Sequence, residues 1–114
     1  MTGNAQLTRR QWALAWSAVD RLERIRSDLP VVRYAIGRAA AESGEQLDRG
    51  ETALRSYLLH SPRPNEPSLA ATHWRLGMIA EKRGDAAAAR QEYATAATMD
   101  PRLKQAKEAL SRLK

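Results

Sequence analysis

A chain of 114 residues, 43% hydrophobic and 28% charged, is one small domain rather than a two-domain enzyme with an interdomain cleft, and it is too apolar to be disordered. The absence of cysteine excludes disulfides, thiolate metal sites and thiol nucleophiles. The net charge of +6 sits at the two ends: residues 1–38 carry seven bases and three acids, residues 39–70 three and five, and residues 71–114 nine and five. Fifteen of the nineteen bases are Arg, beside 21 Ala, and a GC-rich coding sequence accounts for that bias as readily as a demand for anion recognition.

Helical periodicity dominates, and Val and Ile together number only six, so an all-α chain is predicted. Pro and Gly punctuate it. Thr8 caps a first helix that runs to about Asp28 and is closed by Pro30. A second helix runs from Val31 to Ser43 and ends at Gly44, and a third runs from about Glu45 to His60. Ser61-Pro-Arg-Pro-Asn-Glu-Pro67, with three prolines in seven residues, is a stiff surface linker. Ser68 begins a fourth helix that ends at Gly84, Asp85 caps a fifth through about Met99, and Asp100-Pro101 opens a sixth. In that last helix Leu103, Ala106, Leu110 and Leu113 form the apolar stripe, while Arg102, Lys104, Lys107, Glu108, Arg112 and Lys114 stay in water. No apolar stretch near the start reaches the ~20 residues that cross a bilayer, and the first ten residues lack the order of a signal peptide. A cytoplasmic protein without membrane contact is therefore expected.

An internal repeat is the most informative feature. Tyr34-Ala-Ile-Gly-Arg-Ala-Ala-Ala-Glu-Ser-Gly44 aligns without gaps on Trp74-Arg-Leu-Gly-Met-Ile-Ala-Glu-Lys-Arg-Gly84, superposing an aromatic, an aliphatic-Gly pair and a terminal Gly. Each copy continues to a proline, Pro62 or Pro101. In the second copy Leu76-Gly77, Gly84-Asp85, Ala89, Tyr93, Ala96 and Asp100-Pro101 stand at the spacing of the tetratricopeptide repeat, which this chain resembles. The first copy is degenerate: Ile36-Gly37 and Gly44 match, and after a one-residue insertion Gly50, Leu54 and Tyr57 take the remaining places. Both copies depart from the family at the aromatic of the first helix, because Tyr34 and Trp74 lie one residue nearer the Gly than usual and Arg33 and His73 hold the standard slot.

The resemblance implies antiparallel helix-turn-helix units stacked as a short right-handed α-solenoid of about six helices. Its parts would be an N-terminal helix (7–29), a degenerate repeat (31–61), the Pro-rich linker (62–67), a second repeat (68–101) and a C-terminal capping helix (102–114). Gly37 and Gly77 lie mid-helix, where Gly costs ~1 kcal/mol against Ala, so each must be offset by close approach of a partner helix. Gly50 and Ala89 are expected as the small complements, with Leu54 and Tyr93 filling the space one turn further on.

The first helix carries two apolar faces. Leu7, Leu14, Ala18, Leu22, Ile25 and Leu29 form one, and Trp12, Trp16 and Val19 fall about 120° to 180° around the wheel from Leu7. Three coverings stay open for the Trp face: a neighbouring repeat of a longer protein from which the chain is cut, another subunit, or the chain's own C-terminal region. Trp12, Trp16 and Val19 are accordingly the expected docking or homodimer face.

No active site is expected. Glu42, Glu45, Asp48 and Glu51 surround a solvated helix turn, His60 and His73 stand apart from other ligands, and no Gly-rich phosphate loop or nucleophile elbow is present. No cofactor or metal is expected, and acids interspersed among the bases argue against nucleic acid. The resemblance implies instead a concave groove for a partner peptide or helix, with Tyr34 and Arg38 from one helix and Trp74, Met78 and Lys82 from the other. These residue types are favoured at interfaces. The Lys and Asn with which some members of the family clamp a carboxylate are replaced here by Tyr34 and Arg38, so that specialised role is not implied.

Overall fold

The computed structural model describes residues 7–113, so Lys114 and its expected place in water lie outside the described residues. Six helices follow one another: α1 (Arg9–Arg26), α2 (Pro30–Ser43), α3 (Leu47–Tyr57), α4 (Leu69–Lys82), α5 (Ala86–Met99) and α6 (Lys104–Arg112). Among the described residues there is no strand. No helix there is long and apolar enough to cross a membrane.

Local chemistry sets the helix ends. Thr8 caps α1 in a reciprocal box: its Oγ1 accepts the Gln11 N–H at 3.2 Å, and the Gln11 side chain accepts the Thr8 N–H at 2.7 Å. Pro30 is the first residue of α2 rather than a stop after α1, since proline fits a first helical turn. Gly44 closes α2 in the left-handed conformation, φ 77°, with its N–H on the Ala40 carbonyl at 2.9 Å. Ser68 and Asp85 each accept a backbone N–H, from Ala71 and Ala88, both at 3.0 Å.

Three further boundaries differ from expectation. Gln46 takes a left-handed conformation, φ 50°, so α3 begins at Leu47 rather than Glu45. It ends at Tyr57, because the Leu59 and His60 N–H groups bond three residues back, to Ser56 at 3.1 Å and Tyr57 at 2.9 Å, in a tightened turn. Asp100-Pro101 forms a turn instead of opening α6. The Asp100 carboxylate accepts the Arg102 N–H at 3.0 Å, a local bond that competes with helix formation and delays it to Lys104.

The linker is tied down at both ends. The Tyr57 hydroxyl donates to the Pro67 carbonyl at 2.7 Å, and Glu66 accepts the Arg63 N–H at 2.8 Å and meets His60 Nε2 at 2.9 Å.

Packing pairs α2 with α3 and α4 with α5 as the two closest partnerships; α4 also touches α2 and α3, α1 lies on α2, and α6 lies on α5. The core runs from Trp16 and Val19 through Tyr34, Ile36, Leu54 and Tyr57 to Leu76 and Ile79. A second cluster, centred on Ala89, Tyr93 and Ala109, joins α6 to the α4 and α5 pair. The mid-helix glycines permit these contacts. A Cβ on Gly37 would run into the Leu54 side chain, and one on Gly77 would stand 2.5 Å from the Tyr93 ring. Leu54 and Tyr93 thus lie directly against the glycines rather than one turn beyond them. Gly50 faces Ala40 and Ile79 instead of Gly37.

Tyr93 and Arg112 fasten α6 through one carboxylate. Glu81 of α4 accepts the Tyr93 hydroxyl at 2.6 Å and two Arg112 hydrogen bonds at 2.6 and 2.9 Å. Arg112 holds the Glu81 carboxyl below its ordinary range of about 4.5. A carboxylate whose pKa is lowered by folding adds stability above its unfolded value and loses it as pH falls through the folded one. The difference in stability between the native chain and Glu81→Gln should therefore be greatest at pH 7 and shrink on acidification below about pH 4.5. Denaturant midpoints of both proteins at pH 7 and pH 3 check this; a difference that does not shrink contradicts it.

Candidate partner-binding groove

Ser68 starts α4 in a register that puts Trp74, Met78 and Lys82 in line on one face. Trp74 and Met78 are half-buried and Lys82 is exposed. Together with Glu81, the Tyr93 ring and Gln105, Glu108, Ala109 and Arg112, they line a cleft of about 500 Å³. Its floor is aromatic and aliphatic and its rim carries both signs of charge. Three of the five residues expected in the groove, Trp74, Met78 and Lys82, are thus brought together. The opposite wall, however, is α6, read from sequence only as a cap. Gln105, Glu108 and Arg112 are spaced at one helical turn, which is the signal that α6 has a second working face.

Arg38 and Tyr34 stand differently. Arg38 is exposed on α2 and donates through Nε to Glu42 at 3.3 Å. The same carboxylate accepts Arg75 Nη1 at 2.7 Å, and the Arg75 guanidinium lies 4.2 Å from the Trp74 ring centroid. A continuous polar path therefore joins Arg38 to Trp74. Tyr34 is only 8% exposed and packs against Tyr57 with ring centroids 5.5 Å apart. Its ring belongs to the core, contrary to the expectation that it lines the groove, and its hydroxyl accepts Arg75 Nε at 3.4 Å. The displacement of this aromatic by one residue turns it toward α3 instead of outward.

Arg75 is the residue that sequence reasoning missed. It is 8% exposed, and its charge is balanced by Glu42 and covered by Trp74. Removing either neighbour would leave a cation in a poorly solvated place. The signal was present: Ala71, Met78 and Ile79 stand at helical spacing around position 75, so an arginine sits among apolar neighbours.

His73 and two of the acids around the α2 to α3 turn make structural pairs. His73 Nδ1 meets Glu92 at 2.8 Å. Among the acids around the α2 to α3 turn, Asp48 pairs with Arg83, Glu51 with Arg83 at 3.1 Å and with Arg55 at 3.4 Å. They face arginines and not one another. Among the described residues no group of three or more His, Cys, Asp or Glu side chains is placed to hold a metal ion.

The expected docking face on α1 is corrected. Trp16 and Val19 are 5% and 9% exposed and lie in the main core, with Trp12 packed against it. Arg49 of α3 covers the Trp16 ring, 5.4 Å from its centroid, and pairs with Asp20 and Glu23 at 2.8 Å each. The cover is thus α2 and α3, not a second subunit or the C-terminal region. What stays open is the opposite stripe, where Leu7, Leu14, Leu22 and Ile25 are 42, 66, 48 and 67% exposed. A helical wheel separates two apolar faces without ranking them; the large indoles fill the space beside the small side chains of α2. Leu29, at the turn, leaves the stripe and packs on the core.

The chain matches no family model, no curated protein and no solved structure.

Proposed function

We propose that this chain is a non-enzymatic protein-interaction module of the tetratricopeptide type, in which α2 with α3 and α4 with α5 are successive units of a short right-handed solenoid. The matched spacing of Leu76-Gly77, Gly84, Ala89, Tyr93 and Pro101 supports the family reading. So does the order of contacts, since α4 meets both members of the preceding pair. The ligand is a peptide or helix of another protein that seats an apolar side chain between α4 and α6.

The observation that carries this reading is the cleft of about 500 Å³ between Trp74, Met78 and the α6 side chains. It combines an indole and a thioether, which bury large adaptable contact area, with Lys82 and Glu108 on the rim to orient a polar backbone. Arg38 and the Arg75 and Glu42 pair extend the charged rim toward α2.

Peptides selected from a displayed random library against the native chain provide the test. Trp74→Leu with Lys82→Glu should weaken the selected peptides by about tenfold or more, equivalent to about 1.4 kcal/mol, with helicity retained at the temperature of the assay even though the lost cover of Arg75 lowers the melting point. Selected peptides that bind this variant as tightly as the native chain would place the interaction elsewhere and overturn the groove.

A further inference from the structure

We propose that the outer face of α1 is a second docking surface, and that its occupant is an acidic amphipathic helix of another protein. α1 packs on α2, whereas the cleft lies between α4 and α6, so the two surfaces are built from different elements.

The stripe consists of Leu14, Leu22 and Ile25, all more than 40% exposed, with Ala18 exposed between them and Leu7 exposed just ahead of the Thr8 cap. At 100° per residue it spans only about 80° of the helix. It is a seam one side chain wide, which suits a second helix. A helix that binds a lipid surface presents a broad apolar face and favours aromatic residues there. On α1 Trp16 is buried in the core and Trp12 packs against it, so the apolar side chains left on the outside are aliphatic, with the exposed Gln11 among them.

Charge selects the partner. Arg10 and Arg21 border one side of the seam, with Arg24 further round; all three are exposed. None of them pairs with a carboxylate among the described residues. The two acids of α1, Asp20 and Glu23, are turned toward α3 and held by Arg49 at 2.8 Å each. The side of the seam lined by Arg10 and Arg21 is therefore basic without compensation, whereas Arg26 on the other side is paired with Asp28 at 3.1 Å. A second copy placed on it would bring arginines against arginines in an antiparallel pairing, and would offer no carboxylate in a parallel one. A helix with Leu or Ile on its seam and Glu along its flank satisfies both the apolar stripe and the rim.

The test uses two synthetic helical peptides with the same Leu and Ile seam, one flanked by Glu and one by Lys, titrated against the full chain by fluorescence anisotropy. The Glu peptide should bind at least about tenfold more tightly at low ionic strength, and salt should narrow the difference. Leu14→Glu with Ile25→Glu should abolish binding, and their exposure of 66 and 67% lets the fold tolerate both changes. Arg10→Glu with Arg21→Glu should reverse the preference toward the Lys peptide. Failure of the Glu peptide to bind, equal binding of both peptides, or unchanged binding by the Leu14→Glu, Ile25→Glu variant overturns the proposal. So does a dimer in light scattering that this variant dissociates, which assigns the face to a second copy. Capture by phosphatidylserine vesicles that the same variant abolishes, without binding of the Glu peptide, assigns it to a membrane.

Discussion

Gly50→Ala is expected to destabilise the domain by about 2 kcal/mol or more, although alanine is intrinsically the better helix former by about 1 kcal/mol. Gly50 is buried in the first half of α3, and the added methyl group would collide with the Ala40 Cβ of α2 while standing 3.3 Å from Ile79 Cδ1 of α4. A long side chain in that place would rotate aside, but the Ala40 methyl has no torsion that moves it. The only relief is separation of α2 from α3, which loosens Leu54 and Tyr57, both fully buried beside this contact. Gly84→Ala gives the contrast. Nothing lies near its Cβ position, and the cost there arises from its φ of 80° alone, about 1 kcal/mol. Urea denaturation of the two variants should rank Gly50→Ala as the less stable. Ala40→Gly should recover part of the loss in the Gly50→Ala background. A Gly50→Ala protein as stable as the native chain would mean that α2 and α3 do not approach as closely as described.

The sequence disclosed the order of helices because its stops are chemical: Gly44 and Gly84 adopt the left-handed conformation, and Thr8, Ser68 and Asp85 supply capping oxygens to the next turn. It also disclosed that Gly37 and Gly77 mark close approach. The partner in each contact was misplaced by a turn, because spacing along one helix does not define the offset between two. The same limit explains α1, whose two apolar faces were legible while the choice between them depended on what α2 and α3 present. The α6 start at Lys104 was hidden by a single side-chain bond from Asp100. The wall that α6 contributes to the cleft was hidden because a capping helix and a groove wall have the same amphipathic pattern. Tyr34 left its expected place in the groove, its ring turning inward and its hydroxyl accepting a bond from Arg75, a buried cation that had no expected place. That arrangement depends on a contact with Glu42, 33 residues away in the chain, which no local pattern records.

Tyr93→Ala is expected to cost about 3–5 kcal/mol, the range for deleting a buried aromatic, because the ring is 1% exposed and its hydroxyl is bonded to Glu81 at 2.6 Å. The loss should depend on Gly77 in a way that identifies the contact. In the native chain Gly77→Ala brings a methyl group to 2.5 Å from the Tyr93 ring and should destabilise by about 1–3 kcal/mol. With Tyr93 already replaced by alanine, the same methyl enters the vacated space and α4 gains the helical preference of alanine, so Gly77→Ala should become stabilising. Denaturant midpoints of the native chain, the two single variants and the double variant measure this reversal as a coupling of about 2 kcal/mol or more. An equal penalty in both backgrounds would show that something other than the ring requires the glycine. The reversal also bears on binding, since Tyr93 is the floor of the cleft and the second partner of the carboxylate that fastens α6. The double variant should regain packing between α4 and α5 without regaining the Tyr93 bond to Glu81. Stability and peptide affinity should therefore recover to different extents, the first largely and the second little.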